Sequence, residues 1–587
     1  MGQQLPPTQL RLLIEAARGL RPCDIALRGG YVINVFTGET FTGDVGIVGR
    51  HIAIVGDGEV DAHREIEVDG LFLTPGFIDS HMHLESSLLT PAEFARMVLP
   101  HGTTAVVVDP HEIANVAGPD GIRELMAASD GLPLKFYFMI PPAVPASELE
   151  QSGGRIEQAD MARFAGSPNV VGIAEAMDYP GVIEAREDVL EKLTSLPDGV
   201  IDGHAPGLSG RDLQAYCAAG ISSDHETTNA WEGEEKLRAG MYLMLREGSA
   251  ARNLDDLIRL VSPQTVGRCL LVTDDLLPTD IEDHGHIDHL LRMAVRHGVT
   301  PIQAIRMAAI NAAQRLGLDR VGAVAPGYVA DIVGLEDLSE FMPAIVMAGG
   351  ELAVSDGELV AEIRDHAFKA YTVRIPDLSV EDLAISAGTG MVRVIGATGG
   401  QIVTRLLEME PTVLAGRVVS DTDKDVLKIV AVERHGRSGD VGLGLVNGFG
   451  LEAGAIAGSV AHDAHNLVAV GVSDSDILLA LRRIAEMNGG LVAAAGGAIL
   501  QELPLPIGGL MSAESGHSVA SKLRRLEQAA HRLGCGMAHP FMTLSFMCLS
   551  VVPELKLTVS GLVDVEKSEV IPLFTGERAG IERAAAG

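Results

Sequence analysis

The 587-residue sequence is poor in aromatic side chains, in basic residues and in long uncharged runs. Aromatic residues make up 4% of the chain, and no apolar stretch reaches the roughly 20 residues that a membrane-spanning helix needs. Lys and Arg number 45 against 79 Asp and Glu, so the formal net charge is −34 and no basic stripe is left for nucleic acid. We therefore expect neither a membrane nor a nucleic acid as the partner.

Cysteine pairs with the spacing of a redox or zinc motif are also missing. The five cysteines are scattered, with no C-x-x-C pair: Cys23, Cys217, Cys269, Cys535 and Cys548. Such usage is typical of a reducing compartment. The first residues alternate charged and apolar side chains at helical spacing and lack the continuous apolar core of a signal peptide. We predict a cytoplasmic protein.

The composition that remains is that of a large globular protein. Apolar residues make up 47% of the chain and glycines number 67, and a chain of this length holds more than one domain. Short alternating strands with glycine turns run from about residue 24 to residue 73, and the same texture returns near Pro326 in "PGYVADIVGLED". We interpret the two stretches as one small β-sandwich interrupted by an insertion.

This interpretation divides the chain into four segments. They are residues 1–73 with an N-terminal helix and the first sandwich strands, residues 74–325 with the insertion, residues 326–370 with the returning strands, and residues 371–587 with a C-terminal α/β domain. Within the last segment, "SDSDILLALRRIAEMNGG" has a Ser/Asp start and a Gly stop, which predicts a helix.

The insertion alternates apolar β-type runs with stretches of helical spacing, as a parallel α/β barrel requires. Eight such runs occur in order: "TPGFIDSHMH", "TTAVVVDPHE", "LKFYFMIPP", "VVGIAEAMD", "VIDGHAPG", "GISSDHE", "MYLMLREGS" and "CLLVTDD". The predicted fold class is α/β: a (β/α)8 TIM-like barrel inserted in a small β-sandwich domain, plus the C-terminal α/β domain. In such a barrel the reactive groups lie at the carboxyl ends of the strands.

Ionisable side chains follow nearly all of these runs. A lone histidine after one strand is most often a packed or capping residue, but histidines and carboxylates after five strands of one barrel fit chance poorly. His81 and His83 are two apart on the first strand, so both imidazoles point to the same face. The other candidates end the fourth, fifth, sixth and eighth strands: Glu175, His204, His225 and Asp274.

These six side chains form a ligand set for divalent transition metals. Imidazole nitrogen and carboxylate oxygen suit Mn, Fe and Zn, and the lack of nearby thiolates argues against a closed structural zinc site. Six ligands exceed what one catalytic ion takes if it is to keep open positions. We therefore predict two divalent ions, Mn²⁺ or Fe²⁺ with Zn²⁺ as the alternative, joined by a bridging group.

The order of these motifs resembles a known family. "PGFIDSHMH" after a small β-sheet, single histidines at later strand ends and an aspartate on the last strand look like the amidohydrolase superfamily of metal-dependent barrels. Together with "DPHEIANV", "GIAEAMD", "DGHAPG", "DHE", "MLREGSA", "TDD" and the long C-terminal extension, they are similar to the bacterial adenine deaminases over essentially the whole chain.

The resemblance implies a role for each ligand. His81 and His83 would bind the more buried ion, and His204 and His225 would bind the second. Glu175 would bridge the two ions. In many relatives the bridge is a carboxylated lysine, but none of the barrel segment's lysines ends the fourth strand: Lys135, Lys192 and Lys236.

The implied reaction is hydrolytic deamination of adenine to hypoxanthine and ammonia, in purine salvage. Metal binding lowers the pKa of water enough to supply hydroxide near neutral pH. The hydroxide would attack C6 of the purine, while Asp274 would accept its proton and help to protonate the departing amine. An acid must also protonate N1, and the candidates are Glu226, His111 and Glu112. The expected partner is a small purine base, and the expected assembly is a homodimer or higher homo-oligomer.

Three further residues are candidates for binding the substrate. Asp275 could accept a hydrogen bond from a ring N–H, or could cap the helix after the eighth strand. Arg246 could hold the substrate, or could pair with Glu247 on the barrel rim. Glu85 could orient a histidine ring N–H, or could start the following helix.

Two other functions fit parts of the pattern less well. A cyclic amide hydrolase of the same superfamily, similar to dihydroorotases or hydantoinases, would be expected to carry the bridging lysine. A metal-free scaffold derived from an enzyme would not be expected to keep a full ligand set. In the C-terminal motif "GSVAHDAHNLVAVG", we interpret His462 and His465 as polar residues in a turn rather than as groups that close the active site.

Overall fold

The computed structural model describes residues 5–56, 58, 60–369 and 373–576. The chain starts with one helix and five strands: α1 (Pro7–Ala17), β1 (Cys23–Ile33), β2 (Thr40–Val48), β3 (His51–Gly56), β4 (Ala62–Glu67) and β5 (Phe72–Pro75). In β1 and β2 the residues that alternate toward the core are apolar, which leaves the other face of each strand partly exposed.

Eight strands then form a parallel barrel. They are β6 (Phe77–Met82), β7 (Thr103–Val108), β8 (Lys135–Ile140), β9 (Val170–Ala176), β10 (Val200–Gly203), β11 (Ser223–Asp224), β12 (Tyr242–Arg246) and β13 (Cys269–Val272). Strands β6 to β10 and strands β11 to β13 pair in parallel. Parallel bridges from Ile201 to Ile221 and from Met82 to Asp274 join the two groups, so the barrel closes. Each strand lies within one of the eight predicted runs, and the predicted fold class is confirmed.

Helices follow most of the barrel strands and cover the outside of the barrel. They are α2 (Pro91–Val98), α3 (His111–Ser129), α4 (Gln158–Ala162), α5 (Tyr179–Ile183), α6 (Glu187–Leu193), α7 (Gly210–Ala218), α8 (Ala230–Arg238), α9 (Leu254–Leu257), α10 (Pro278–His284), α11 (Ile287–Arg296), α12 (Pro301–Met307) and α13 (Ile310–Arg315). The strands between them are buried on both faces and read as continuous apolar runs, as in β7.

The sheet that begins with β1 is completed after the barrel. The returning strands are β14 (Ile332–Leu335), β15 (Pro343–Ala348), β16 (Glu351–Ser355) and β17 (Glu358–Leu359). They extend it in the order β17-β16-β15-β14-β5-β1-β2-β3, with β4 beside β1. Chain segments on both sides of the barrel thus share one sheet, as predicted from the second stretch of short strands and glycine turns near Pro326. The four segment boundaries stay a prediction.

The first barrel strand is shorter than predicted. Thr74 and Pro75 belong to β5 and pair with Val333 and Ile332 of β14. Gly76 is the junction between the sheet and the barrel, and a Cβ atom there would lie 2.1 Å from Oγ1 of Thr104. A residue without a side chain is therefore required where the chain passes from one unit to the other.

The C-terminal domain is α/β, as predicted. Its elements are β18 (Ile385–Ser386), β19 (Val392–Gly396), β20 (Arg405–Met409), β21 (Val413–Leu414), β22 (Arg417–Val418), β23 (Val426–Val432), β24 (Val441–Asn447), β25 (Ala455–Gly458), β26 (Leu467–Gly471), α14 (Asp474–Glu486), β27 (Gly490–Ala495), β28 (Ala498–Pro504), α15 (Gly516–Arg532), α16 (Pro540–Ser545), β29 (Leu555–Thr558), β30 (Gly561–Asp564) and β31 (Glu569–Ile571). An eight-stranded sheet in the order β20-β19-β24-β23-β26-β25-β27-β28 forms its centre.

Helix α14 confirms the predicted start and stop signals. The Ser473 side chain accepts a hydrogen bond from the backbone N–H of Asp476, and α14 ends four residues before Gly490. Ile477 and Leu481 pack against one face of the sheet. The buried residues on the other side belong to a single apolar cluster with the barrel, which includes Ile113 and Leu523. The C-terminal domain is therefore packed directly onto the barrel.

Helices of sufficient length and apolarity to cross a membrane are absent from the residues that the structure describes.

Candidate metal centre and active site

The carboxyl end of the barrel brings together the residues that the strand ends predicted. His81 is in β6, His83 directly follows it, and Glu175 is the penultimate residue of β9. His204 and His225 each follow a strand directly, and Asp274 lies two residues after β13. All six are at most 8% exposed. Strands of period two and a shared barrel end therefore place six ligand-type side chains in one buried site.

One group of four ligands surrounds a single point. Nε2 of His83 lies 3.0 Å from Oε1 of Glu175 and 3.0 Å from Oδ1 of Asp274. Nε2 of His81 lies 3.4 Å from each of the same two oxygens. The ligand atoms of these four residues lie within 4.8 Å of one another, which is the geometry of a candidate ion site.

The second group lies on the other oxygen of Glu175. Nδ1 of His204 is 2.6 Å from Oε2 of Glu175, and Nε2 of His225 is 3.4 Å from it. Glu175 thus presents one oxygen to His81 and His83 and the other to His204 and His225. A carboxylate in this position has the geometry of a bridge between two ion sites.

The donor set fits divalent metal ions. Two buried atoms that face each other in it have no hydrogen-bond partner among the described residues: Nε2 of His81 and Oε1 of Glu175. Unpartnered buried polar atoms are rare in folded proteins. Because the donors are imidazole nitrogens and carboxylate oxygens without a thiolate, they match the preferences of divalent transition metals.

The local charges hold the carboxylates ionised. Burial would raise the pKa of Glu175, but His225, His204 and His81 outweigh it and keep that pKa well below its usual value. Burial likewise opposes ionisation of Asp274, yet Arg246 and the neighbouring histidines hold its pKa well below the usual range. Both side chains therefore have the charged form that binds a cation.

Two aspartates outside the predicted set support the first pair of histidines. Nδ1 of His83 lies 3.2 Å from the backbone carbonyl of Asp109, so it donates there and leaves Nε2 for the site. Oδ2 of Asp202 lies 3.6 Å from Nδ1 of His81, while Oδ1 accepts hydrogen bonds from Ser223 and Arg315. The sequence analysis missed Asp202, although its spacing of two from His204 repeats the spacing of His81 and His83.

A buried lysine fixes the strand ends that carry His204 and His225. Nζ of Lys236 donates to Asp224 at 2.8 Å, to Glu232 at 2.7 Å and to the Ala205 carbonyl at 2.8 Å. Asp224 also accepts from the backbone N–H of Ala205 at 2.9 Å. This network sets the position of the residues on both sides of the second ligand pair.

We expect Lys236→Met to destabilise the protein by about 3–5 kcal/mol, because it leaves Asp224 and Glu232 buried without their cation. Chemical denaturation followed by circular dichroism measures the loss. Lys192→Met is the matched control: Nζ of Lys192 donates to the Pro142 carbonyl and forms no ion pair with a described residue, so its loss should cost about 1 kcal/mol. Equal midpoints for the two variants would contradict the assigned role of Lys236.

The three barrel lysines are all engaged away from Glu175. Lys135 pairs with Asp331, Lys192 bonds to Pro142, and Lys236 belongs to the network just described. Among the described residues, the carboxylate between the two histidine pairs is therefore that of Glu175 and not a modified lysine.

Arg246 lies in the site but has a different partner from the one predicted. Its Nη1 donates to Oδ2 of Asp274 at 2.6 Å and also to Oε1 of Glu226, and Nη2 is 3.3 Å from Oε2 of Glu226. The predicted alternative of a pair with Glu247 is wrong, since Glu247 lies 3.4 Å from Arg252. Arg246 thus ties the carboxylates of two strand ends together.

Asp275 and Glu85 also differ from one predicted alternative each. Asp275 does not cap the next helix, because α10 begins at Pro278; instead it lines the cavity and accepts from Oγ of Ser86 at 2.5 Å. Glu85 does not line the cavity, and its Oε1 accepts from the backbone N–H of Ile113 at 2.9 Å. The structure brings Asp275 to the cavity and places Glu85 behind it, at the start of α3.

The C-terminal domain covers part of the mouth of the barrel. The cavity between it and the ligands has a volume of about 40 Å³, well below the roughly 300–1,000 Å³ of most ligand sites. One wall is formed by C-terminal residues: Ile402, His462, Asp463, Phe546 and Leu549. His111, Glu112 and Glu226 also line it. The site is therefore made from two domains.

His462 and His465 lie in a turn with polar partners, as interpreted, but the turn also reaches the barrel and His462 lines the cavity. The turn is the connection between β25 and β26, and Nδ1 of His462 is 2.5 Å from Oε1 of Glu112. Nε2 of His465 contacts the other oxygen of the same carboxylate. A single sequence carries no sign of this contact, because 353 positions separate Glu112 from His465.

Known proteins resemble the chain over nearly its whole length. Residues 72–353 match the amidohydrolase family, and residues 401–569 match the adenine deaminase C-terminal domain. The chain is 46% identical over 565 residues to "Adenine deaminase 2" of Carboxydothermus hydrogenoformans, which covers 96% of this chain and 99% of that protein. It is 43% identical to the adenine deaminase of Kosmotoga olearia and 45% identical to that of Methanothrix thermoacetophila, each over 96% of this chain and 99% of the relative. A chain with this barrel, this ligand set and this identity across both domains belongs to the adenine deaminase family of amidohydrolases.

Proposed function

We propose that the protein hydrolyses adenine to hypoxanthine and ammonia. The observation that carries the proposal is Glu175, whose two oxygens face two separate pairs of histidines at the end of a barrel. The family's C-terminal domain and the full-length similarity to adenine deaminases support adenine as the substrate.

The proposed cofactor is a pair of divalent ions. His81, His83 and Asp274 would hold one, His204 and His225 would hold the other, and Glu175 would bridge them. When bound, such ions lower the pKa of water and so supply the hydroxide that the reaction needs near neutral pH. We propose Mn²⁺ or Fe²⁺, with Zn²⁺ as the alternative, because the donors are imidazoles and carboxylates.

Asp274 is the proposed proton carrier. Its carboxylate lies between the His83 ring and the Arg246 guanidinium, at the floor of the cavity. It accepts the proton of the attacking water and returns a proton to the amine as the bond from C6 to nitrogen breaks. Water adds at C6, ammonia leaves, and no other reactant is needed.

The proton for N1 of the ring comes from Glu226 or His111, which both line the cavity; Glu112, the third candidate, also lines it but faces His462 and His465 with its two oxygens. Glu226 is paired with Arg246 and lies 3.6 Å from Nε2 of His225. His111 lies with Nδ1 3.1 Å from Asp109 and Nε2 3.2 Å from Glu112. The His111–Glu112 pair and Glu226 are on different chain segments, so single substitutions separate their effects.

We also propose that the reaction serves purine salvage in the cytoplasm. The five free cysteines support a reducing compartment. A homodimer or higher homo-oligomer is the proposed assembly, and light scattering coupled to size-exclusion chromatography would test it.

The deciding assay follows ammonia release from adenine, adenosine, cytosine and dihydroorotate by protein purified with Mn²⁺ or Fe²⁺. We expect turnover of adenine alone. Turnover of dihydroorotate without turnover of adenine would overturn the proposal in favour of a cyclic amide hydrolase, for which the engaged barrel lysines give no support.

A further inference from the structure

The connection between β25 and β26, residues 459–466, places two histidines on one carboxylate of the barrel. Oε1 of Glu112 faces Nδ1 of His462 at 2.5 Å, and Oε2 faces Nε2 of His465. Glu112, His462 and His465 are each at most 5% exposed. This cluster lies outside the proposed metal centre and joins the C-terminal domain to the barrel.

The hydrogen bonds of His465 show that the cluster is a support and not a third metal site. The backbone N–H of Ala461 donates to Nδ1 of His465 at 3.2 Å, so Nδ1 carries a lone pair. The proton of a neutral imidazole must then be on Nε2, which donates it to Glu112. A metal ion on Nε2 would require the ring to lose both protons. His465 therefore anchors Glu112, whose other oxygen lies 2.5 Å from Nδ1 of His462.

Nδ1 of the His462 ring faces Glu112, so Nε2 is the ring nitrogen that can contact a ligand in the cavity. His462 lines the cavity, and its Nε2 makes no hydrogen bond to another described residue. The His462 ring stacks on Phe546, with ring centroids 5.0 Å apart and an angle of 21° between the planes. The Phe546 and Ile402 carbonyls both accept from the buried Nζ of Lys556, at 2.9 and 2.6 Å. The wall that carries His462 is thus fixed from behind.

The cavity lies between this wall and the proposed metal ligands. A purine whose C6 faces the ligands turns the opposite edge, which carries N3, toward the wall, since N3 is across the six-membered ring from C6. N3 is an acceptor, and an imidazole with Nδ1 on a carboxylate can offer Nε2–H as a donor when it carries both protons.

We propose that His462 is a substrate-binding residue that donates a hydrogen bond from Nε2 to N3 of adenine, with Glu112 and His465 as its positioning residues. The proposal rests on the proposed adenine deamination and adds a contact from the C-terminal domain. It gives the buried Glu112 cluster a role in recognising the base.

Two substitutions at position 462 separate binding from support. In His462→Asn the amide reaches the position of Nδ1, so the contact with Glu112 is kept and the adenine contact is lost. We expect kcat/KM for adenine to fall about tenfold to hundredfold, mostly through KM, as for the loss of a buried hydrogen bond. In His462→Gln the amide reaches the position of Nε2, and KM should stay closer to that of the unmodified protein.

Deaza analogues identify the nitrogen. The inhibition constants of 3-deazaadenine and 7-deazaadenine are measured against adenine turnover for the unmodified protein and for both variants. We expect 3-deazaadenine to bind the unmodified protein and His462→Asn equally, because the contact is already absent, whereas 7-deazaadenine should lose affinity in the variant as adenine does. His531→Gln is the control, since His531 bonds to the Met537 carbonyl away from the cavity and should leave all constants unchanged.

The outcomes distinguish this inference from the proposed function. Failure of the unmodified, metal-loaded protein to release ammonia from adenine would defeat the proposed function itself. If adenine is deaminated but His462→Asn weakens 3-deazaadenine and 7-deazaadenine equally, the contact with N3 is wrong and deamination stands. An unchanged KM in His462→Asn, with metal content and unfolding midpoint also unchanged, would remove His462 from substrate binding.

Discussion

Asp274→Asn should lower kcat for adenine deamination by about 10²–10⁴-fold while most of the metal remains bound. The side chain keeps its shape and one oxygen toward His81 and His83, where Oδ1 now lies 3.4 and 3.0 Å away. The backbone should tolerate the change, because Asp274 has a φ of 59° and Asn adopts this left-handed conformation readily. What is lost is the carboxylate that carries the proton. Stopped assays of ammonia release, together with elemental analysis of the same sample, measure both quantities.

Asp275→Asn is the matched control for this substitution. Asp275 is the next residue and lines the same cavity, but its carboxylate accepts a hydrogen bond from Ser86. We expect KM to rise and kcat to change little, because Asp275 is proposed to hold the base without carrying the proton. Near-normal turnover in Asp274→Asn, with metal content verified, would remove Asp274 from proton transfer and favour Glu226 or Glu112.

Glu175→Gln should lower the metal content from about two ions per chain and reduce deamination by at least about 10²-fold. Among the described residues, Glu175 is the carboxylate whose two oxygens reach both histidine pairs, so its loss should weaken both proposed ion sites at once. Substitution of residues that only support a ligand already costs about 10–100-fold in affinity or activity. Elemental analysis after dialysis and activity measured with added Mn²⁺ give the two readouts.

Glu226→Gln provides the comparison for Glu175→Gln. Glu226 is buried beside His204 and His225, at 4.0 and 3.6 Å, but its carboxylate is bound by Arg246. Metal content should therefore be retained. Added bicarbonate should not change the activity of the unmodified protein, since a lysine carbamate is not the bridge. A single ion at full turnover in the unmodified protein would contradict the binuclear centre.

The barrel and its ligands were largely predictable from local pattern. Buried parallel strands appear in the sequence as continuous apolar runs. The first polar residues after such strands must lie at the same end of the barrel. That rule placed His81, Glu175, His204 and Asp274 in one site before any contact was known. It works because strand direction and side-chain period are local properties of the chain.

The rest of the site depends on contacts between distant segments, which single-sequence pattern does not encode. His462 was interpreted as a turn residue, and its location in a turn is correct, but its partner Glu112 is in another domain. For Arg246 the sequence leaves open substrate binding or a pair with its neighbour Glu247, whereas the fold turns it toward Glu226 and Asp274. In each case the sequence identifies the polar residue, but tertiary packing determines which charged group it contacts.

The two-domain cavity imposes an order on the maturation of the metal centre. All proposed ligands lie between His81 and Asp274, whereas the residues that cover the cavity, from Ile402 to Leu549, are synthesised later. Domains fold from the N-terminus during synthesis at about 5–20 residues per second, so the ligands precede the last part of the cover by on the order of ten seconds to a minute. Ions that bind in that interval reach an uncovered barrel, and later ones reach it past the C-terminal residues that line the cavity. The metal ions available in the cell during translation should therefore determine which ions the mature protein holds.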